Sequence, residues 1–177
     1  HGDAPVYVHA KLTIVDDHSR YAVGLKASGD ERSGTVQDAL QRAFERYGLP
    51  QEIQTDNGSP WGDTAERTLT RLGVWLIEHG VAPIHIRPHH PQSNGKNERF
   101  NRTLKAELLA GRCFRDLAHA QDAFDAWRHH YNQHRPHDAL QLAVPAERYT
   151  PSPRAFEAAV APFDYGSDDI VRRVDDA

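Results

Sequence analysis

The repeat of apolar residues along this chain changes from strand-like to helix-like, and that change constrains the fold most. Residues 6–14 and 21–27 are rich in β-branched side chains and predict two strands joined by a short turn. Further strands are predicted at residues 52–56 and 81–86, each between segments with a helical repeat. Two strands followed by alternating helices and strands indicate an α/β protein, in which helices cover a central sheet.

Four segments repeat apolar residues with the helical period. The first covers residues 33–47 and ends at Gly48. The second is expected to begin at a cap, Asp63 or Thr64, and to end at Gly80. The third starts near Ser93 or Asn94, and the fourth runs from about residue 116 to 130. The residues expected to face the core are Val36, Leu40, Ala43, Phe44, Tyr47, Leu69, Leu72, Trp75, Leu76, Phe100, Leu104, Leu108, Leu117, Ala120, Ala123, Phe124 and Trp127.

Length and composition fit one globular domain with an appendage. The chain has 177 residues and is 38% hydrophobic. Its apolar runs fall well short of the roughly 18 residues of a membrane span, and no signal peptide is apparent. The single cysteine, Cys113, excludes an internal disulfide and suits a reducing cytoplasm. We expect a core domain at residues 1–150 and an extended segment at 151–177, which could begin a further β module.

Charge is distributed unevenly along the chain. The net charge is -4, yet residues 87–105 contain five lysines and arginines and a single acid, Glu98. A basic strip on a neutral-to-acidic body is what a phosphate-binding site requires. A solvated helix face would have the same charge pattern, so charge alone does not decide between the two.

Glu98 is placed on the third predicted helix, amid cations. One face of that helix carries Asn94, Glu98, Arg102 and Lys105. A carboxylate beside Arg and Lys suits a hard divalent cation held next to a phosphate. Such an ion needs a second carboxylate, and Asp56, at the end of a predicted strand in "TDNG", is the best candidate. An ordinary turn at Asp56 and a surface glutamate explain the same residues.

Four motifs in order closely resemble one family. "VDDHSRY", "RYGLPQEIQTDNGSPWG", "HHPQSNGKNERFNRTLKAE" and "WRHHYNQHRPHDAL" resemble the integrase catalytic core of bacterial insertion-sequence transposases, with retroviral integrases as more distant relatives. The resemblance covers residues 6–154. It implies an RNase H-like fold, with a central mixed β-sheet flanked by helices. It also implies a DDE carboxylate triad with two Mg²⁺ or Mn²⁺ ions, and a polynucleotidyl transferase that cleaves and joins DNA strands by two-metal phosphoryl transfer.

The resemblance assigns two of the three acids to this sequence. Asp56 matches the second acid and Glu98 the third, 42 residues apart, which is longer than usual in the family. The first acid is expected upstream of His1, because Asp3 is too close to Asp16 and reads as a hairpin turn. Asp16 itself matches an aspartate that is not a metal ligand.

The same resemblance implies DNA contacts and partners. Arg102 and Lys105 match residues that hold the DNA backbone near the cleaved end, and Asn94 matches an amide in the loop before the third acid. The residues expected to line the entry are His89, His90, Gln92 and Lys96. The implied partners are transposon ends, target DNA and further copies of the chain in a homo-oligomer, within the bacterial cytoplasm and without a membrane.

Three other interpretations account for parts of the sequence. The chain is alternatively a catalytically incomplete DNA-binding or assembly module, the relic of a transposase. An RNA-degrading nuclease of the same fold is disfavoured, because it does not explain the whole motif series. A zinc site at His129, His130, His134 and His137 is disfavoured too, since no cysteine lies near them and the family shows "YNQHRPH" at this place.

Overall fold

Strand β1 (His9–Val15) pairs antiparallel with strand β2 (Ala22–Ser28). Strand β3 (Glu52–Thr55) pairs in parallel with strand β4 (Ala82–His85). The computed structural model describes residues 9–28, 33–55, 61, 70–85, 95–160 and 167–168. Within the described part of the chain, the strands thus form two separate two-stranded sheets, one antiparallel and one parallel.

Five α-helices surround these strands in the described ranges: α1 (Ser33–Tyr47), α2 (Arg71–Glu78), α3 (Gly95–Leu104), α4 (Leu117–Gln133) and the short α5 (Pro145–Arg148). A π-helical turn (Lys105–Leu109) continues α3, and a 3-10 turn (Asp138–Leu140) follows α4. None of these helices is long and apolar enough to cross a membrane.

The apolar core is divided between two sides of the first strand pair. On one side, Leu12 and Ile14 of β1 pack against the apolar residues of α1 and α2. On the other side, Leu25 of β2 joins a cluster with Phe100 of α3 and Phe124 of α4. Neighbouring strand residues point to opposite faces, so this strand pair has helices on both sides. The predicted α/β layering is confirmed.

Most of the predicted core faces are correct. The five apolar residues of α1 are buried, as are Phe100, Leu104 and Leu108. Leu117, predicted to face the core, is 44% exposed, because it directly follows the N-cap Asp116, where α4 has not yet reached the sheet. The helix also continues beyond residue 130 and buries Tyr131 and Asn132.

The predicted start of the second helix is wrong. The helix that contains Leu72 and Leu76 begins at Arg71 and not after Asp63 or Thr64. Thr70 has extended backbone angles and accepts a hydrogen bond from the Gly73 amide, so it is the N-cap. A threonine can satisfy a free amide at a helix start as well as the two earlier candidates can, and local sequence does not rank them.

Side-chain amides of α4 complete the hydrogen bonds of β2. The buried Asn132 side chain donates to the Ala22 carbonyl at 3.0 Å and accepts from the Ala22 amide at 2.8 Å. Nearer the start of the same helix, Gln121 donates to the Leu25 carbonyl and accepts from the Ala27 amide. Backbone groups that would otherwise be unpaired at a strand edge are thus satisfied by a helix that covers the edge.

Residues after α5 pack onto the core. The Arg154 guanidinium donates to the carbonyls of Pro50, His79 and Gly80, at 2.8, 3.2 and 2.7 Å. Two of these carbonyls lie at the C-terminal end of α2, where a cation is favourable. A Cβ at Gly48, whose φ is +78°, would collide with the Ser152 carbonyl, so the close approach of this segment needs glycine there.

Candidate nucleic-acid and metal site

Helix α3 and the π-helical turn that follows it expose the described part of the predicted basic strip. Glu98, Arg102 and Lys105 are all exposed, whereas Phe100 and Leu104 are buried on the opposite side. The helical repeat of the sequence is responsible, because apolar residues four apart fix which side faces the core. The predicted division between the polar and apolar faces of this helix is confirmed.

Two contacts attach the start of α3 to the end of β1. The Thr13 hydroxyl donates to the Asn97 side-chain oxygen at 2.9 Å. The Lys96 ammonium donates to the carboxylate and the carbonyl of Asp17, just beyond the strand. Because Lys96 and Asn97 directly precede Glu98, both contacts fix the helix turn that carries the carboxylate.

Glu98 has the properties of an available ligand. It lies in the first turn of α3, where the helix dipole favours a negative charge. Its carboxylate forms no ion pair with any other residue in the described ranges, although Arg102 lies one turn away. An exposed carboxylate that is not ion-paired to a described residue can bind a hard cation without first breaking such a pair.

Glu107, by contrast, is fully engaged. It lies in the π-helical turn after α3, forms an ion pair with Arg135 and accepts a hydrogen bond from the Trp127 indole at 2.9 Å. The two glutamates of this helical stretch therefore have different environments. Glu107 joins the helix to α4 and its following residues, while Glu98 faces solvent.

Asp16 acts within the hairpin turn. Its carboxylate accepts from the amide and the hydroxyl of Ser19, at 2.7 and 2.6 Å. Its backbone bonds to Tyr21 and Arg20 close the turn between β1 and β2. Both bonds end on the Oδ2 atom of Asp16 and stabilise the turn.

Several predicted site residues fall on parts of the chain that the structure does not describe: Asp56, His89, His90, Gln92 and Asn94. Their neighbours nevertheless constrain the site. β3 ends at Thr55 and β4 at His85, and these two residues are paired in parallel, with a 3.3 Å contact between the Thr55 hydroxyl and the His85 ring. The carboxyl ends of both strands thus lie at the same edge, and nine residues separate β4 from α3.

His129 and His130, near the end of α4, both lie next to the C-cap residue His134. His129, His130 and His134 are exposed, and their rings make pairwise contacts with centroids 5.7 Å apart. Within the described ranges, no group of three or more His, Cys, Asp or Glu is arranged to hold a metal ion. Phe100 and Trp127, expected in the core, are buried and meet edge to face at 5.5 Å.

Sequence reasoning missed the polar residues that hold the site in place. Thr13 and Asn97 are 84 residues apart in the chain, and a single sequence does not indicate that they meet. For Asn132 the sequence contains a weak indication of such a role, because this polar residue is next to apolar Tyr131 on the core-facing side of α4. A polar residue at a core-facing position is a candidate for such a structural hydrogen bond.

Comparison with solved structures identifies the fold. The chain is similar to a chain in the cryo-EM structure of the simian T-cell lymphotropic virus intasome in complex with PP2A regulatory subunit B56 gamma. The TM-score is 0.61 at 17% identity, over 91% of this chain and 53% of the other. The fold is accordingly RNase H-like, an α/β fold in which helices flank a mixed sheet.

Sequence comparison then gives the family. Two models, each described as integrase core domain, match residues 5–91 and 79–145. The chain belongs to the integrase core domain family, and the predicted resemblance to insertion-sequence transposases is confirmed.

Two relatives come from bacterial insertion elements. An uncharacterized 39.2 kDa protein of insertion element IS476 from Xanthomonas euvesicatoria is 35% identical over 136 residues, which is 77% of this chain and 38% of that protein. Transposase InsD for insertion element IS2 from Escherichia coli is 33% identical over 127 residues, covering 68% of this chain and 40% of that protein. The chain thus spans less than half the length of either relative.

Proposed function

We propose that this chain is the catalytic core of a DDE transposase, which cleaves DNA strands and transfers them during transposition. The observation that carries the proposal is the environment of Glu98. The carboxylate is exposed, forms no ion pair with another described residue, and is fixed by the Thr13–Asn97 and Asp17–Lys96 contacts. A purely structural glutamate would be engaged as Glu107 is.

Glu98 and Asp56 are the residues proposed to hold the metal. Carboxylate oxygens are the ligands that Mg²⁺ and Mn²⁺ prefer, and the exposed Glu98 fits that requirement. Asp56 directly follows Thr55 at the end of β3, the edge from which the chain returns to α3. Two bound ions would activate the attacking oxygen and stabilise the leaving one. The third carboxylate is expected from a strand upstream of His1.

The cations of α3 are proposed to position the DNA. Arg102 and Lys105 are exposed beside Glu98, and neither forms an ion pair with a described residue, so both can neutralise phosphate oxygens. Lys96 is held by Asp17 in the unbound protein and would exchange that carboxylate for a phosphate. The residues proposed to line the entry are His89, His90, Gln92 and Asn94.

The partners proposed are the transposon ends, the target DNA and further copies of the same protein, in the bacterial cytoplasm. The similarity to transposase InsD and to an intasome chain supports an assembly on DNA. Contacts of this kind hold the DNA backbone without reading its sequence.

The proposal is tested with the natural full-length protein and DNA fragments that carry the ends of its element. We expect strand transfer that requires Mg²⁺ or Mn²⁺, and we expect Glu98→Gln to abolish it while DNA binding in EDTA persists. DNA binding without any metal-dependent transfer by the parent protein would instead identify a catalytically incomplete binding module.

A further inference from the structure

Three arginines from three different elements converge beside the end of α4. Phe100 of α3 packs edge to face on Tyr131, with ring centroids 5.0 Å apart, which brings the neighbouring Arg99 to this place. The paired hydrogen bonds of Asn132 to Ala22 bring the hairpin turn with Arg20 to the same helix end. Arg135 follows α4 directly. We call Arg20, Arg99 and Arg135 the arginine cluster.

The arginine cluster is incompletely neutralised. Arg135 forms an ion pair with Glu107, but Arg20 donates only to the backbone carbonyl of Asp17 among the described residues. Arg99 is exposed and forms no ion pair with another residue in the described ranges. The other acids near the arginine cluster are Asp16 and Asp17, in the same turn as Arg20, and Asp138, in the 3-10 turn after α4. Arg20 and Arg99 therefore have no carboxylate partner among the described residues, which leaves both guanidinium groups available to another anion.

The field of these arginines reaches the two aromatic rings between them. Tyr131 and His137 meet edge to face at 4.9 Å. Burial lowers the pKa of His137, and the charges of Arg135, Arg20 and Arg99 lower it further, against a smaller opposite effect of Asp138. The same three arginines act on Tyr131, whose pKa burial raises to about 12. Both rings therefore lie within the combined field of the three guanidinium groups.

We propose that the arginine cluster binds the phosphodiester backbone of duplex DNA, in addition to the contacts of the Arg102–Lys105 pair. This inference rests on the proposed function, since it extends the DNA path of that site. Arg99 and Arg102 lie three residues apart on α3 and are therefore neighbours on the helix surface. The basic surface thus continues from the Arg102–Lys105 pair to the hairpin turn with Arg20. Guanidinium groups bind phosphate oxygens with paired hydrogen bonds, which suits backbone contacts.

The backbone of Arg20 makes a clean test feasible. Arg20 has a φ of +63°, a conformation that disfavours residues with a side chain and suits glycine. Arg20→Gly thus removes the guanidinium without straining the turn, and Arg99→Gln removes an exposed charge from a helix that tolerates glutamine. The double variant removes two charges of the arginine cluster and keeps the core intact.

The experiment measures the dissociation constant for a duplex DNA fragment in EDTA, at several salt concentrations, for the parent and three double variants. Arg20→Gly with Arg99→Gln tests the arginine cluster, and Arg102→Gln with Lys105→Gln tests the Arg102–Lys105 pair. Arg42→Gln with Arg148→Gln is the matched control, since both arginines are exposed on α1 and α5 and removing them changes the net charge equally. Removing one cation that neutralises a phosphate should reduce the slope of log K against log salt by about 0.9.

We expect the arginine-cluster variant to bind at least about tenfold more weakly than the control variant and to reduce the salt slope by about 0.9 to 1.8. If the arginine-cluster variant has the same dissociation constant and salt slope as the control variant, the inference is overturned, because DNA binding would then depend on net charge alone. A parent protein that binds no DNA would overturn both the inference and the proposed function. If only the variant with Arg102→Gln and Lys105→Gln binds more weakly, the inference about the arginine cluster is overturned, while the proposed function is retained.

Discussion

Thr13 donates a hydrogen bond to Asn97 at 2.9 Å, and this contact joins β1 to α3 one residue before Glu98. The bond is half-buried and connects a strand to the helix that carries the proposed metal ligand. Its main effect should therefore be on the position of the carboxylate, with a smaller effect on global stability.

Thr13→Val keeps the shape and strand preference of the side chain but removes the donor. We expect it to lower the free energy of unfolding by about 1 kcal/mol and to reduce kcat for strand transfer at least tenfold, because small displacements of a catalytic group are costly. Thr103→Val is the matched control, since the Thr103 hydroxyl donates at 3.0 Å to a carbonyl within α3 itself. Equal reductions of kcat in the two variants would contradict a positioning role for Thr13.

Glu98→Gln and Glu107→Gln should affect stability differently. Glu98 forms no ion pair with another described residue, so its substitution should change the free energy of unfolding by less than about 1 kcal/mol, the size of the helix-dipole contribution. Glu107→Gln weakens an ion pair and a hydrogen bond to Trp127, and we expect a decrease of about 2 kcal/mol. Thermal unfolding in EDTA measures both. If Glu98→Gln proves the more destabilising of the two, Glu98 has a structural role.

Asn132→Ala should be among the most destabilising single substitutions in α4. It removes the hydrogen-bond partners of the amide and the carbonyl of Ala22, a buried residue. Each buried group left unpaired costs about 1–3 kcal/mol, so we expect the free energy of unfolding to fall by about 3 kcal/mol or more. The adjacent Gln133 is exposed, and Gln133→Ala should change stability by less than about 0.5 kcal/mol. Stability is measured by urea unfolding. Equal midpoints for the two variants would contradict the role of Asn132 in pairing the backbone groups of β2.

The segment after α5 should contribute to the stability of the core domain. A chain that ends after residue 160 retains the hydrogen bonds of Arg154 to three carbonyls and the stacking of Phe156 on His79, whose ring centroids are 5.1 Å apart. A chain that ends after residue 150 has neither, and we expect it to be less stable by about 3 kcal/mol or more. Comparing the two truncated chains by thermal unfolding tests this. Equal midpoints would place the boundary of the core domain at residue 150, as the sequence suggested.

Helical periodicity was sufficient to predict which sides of α1 and α3 are buried, since this depends on residues only three or four apart. The cap at Thr70 and the exposure of Leu117 depend on where a helix meets the sheet, which local patterns do not specify. The contacts of Thr13 and Asn132 join residues 84 and 110 positions apart, beyond the reach of one sequence. For the site, the helix face that carries Glu98 was predicted correctly, whereas the approach of Glu98 to Asp56 stays a prediction.

His137 offers a measurement of the arginine cluster that is independent of DNA. Its pKa is lowered from 6.5, first by burial and then by the charges of Arg135, Arg20 and Arg99. A histidine whose folded-state pKa lies below its unfolded value binds fewer protons when folded, so stability is retained above pH 6.5 and falls as pH decreases below it.

The charge of Arg99 should therefore be detectable by NMR titration of the His137 ring, which should titrate below pH 6.5 in the parent protein. In Arg99→Gln the pKa of His137 should rise, because a repelling charge is removed while burial is unchanged. The acid-side decrease in stability should likewise shrink in His137→Gln. Arg42→Gln removes an equal charge from α1 and should leave the titration unchanged. A His137 pKa that does not respond to Arg99→Gln would show that Arg99 lies too far away to act with Arg20 and Arg135 on one phosphate backbone.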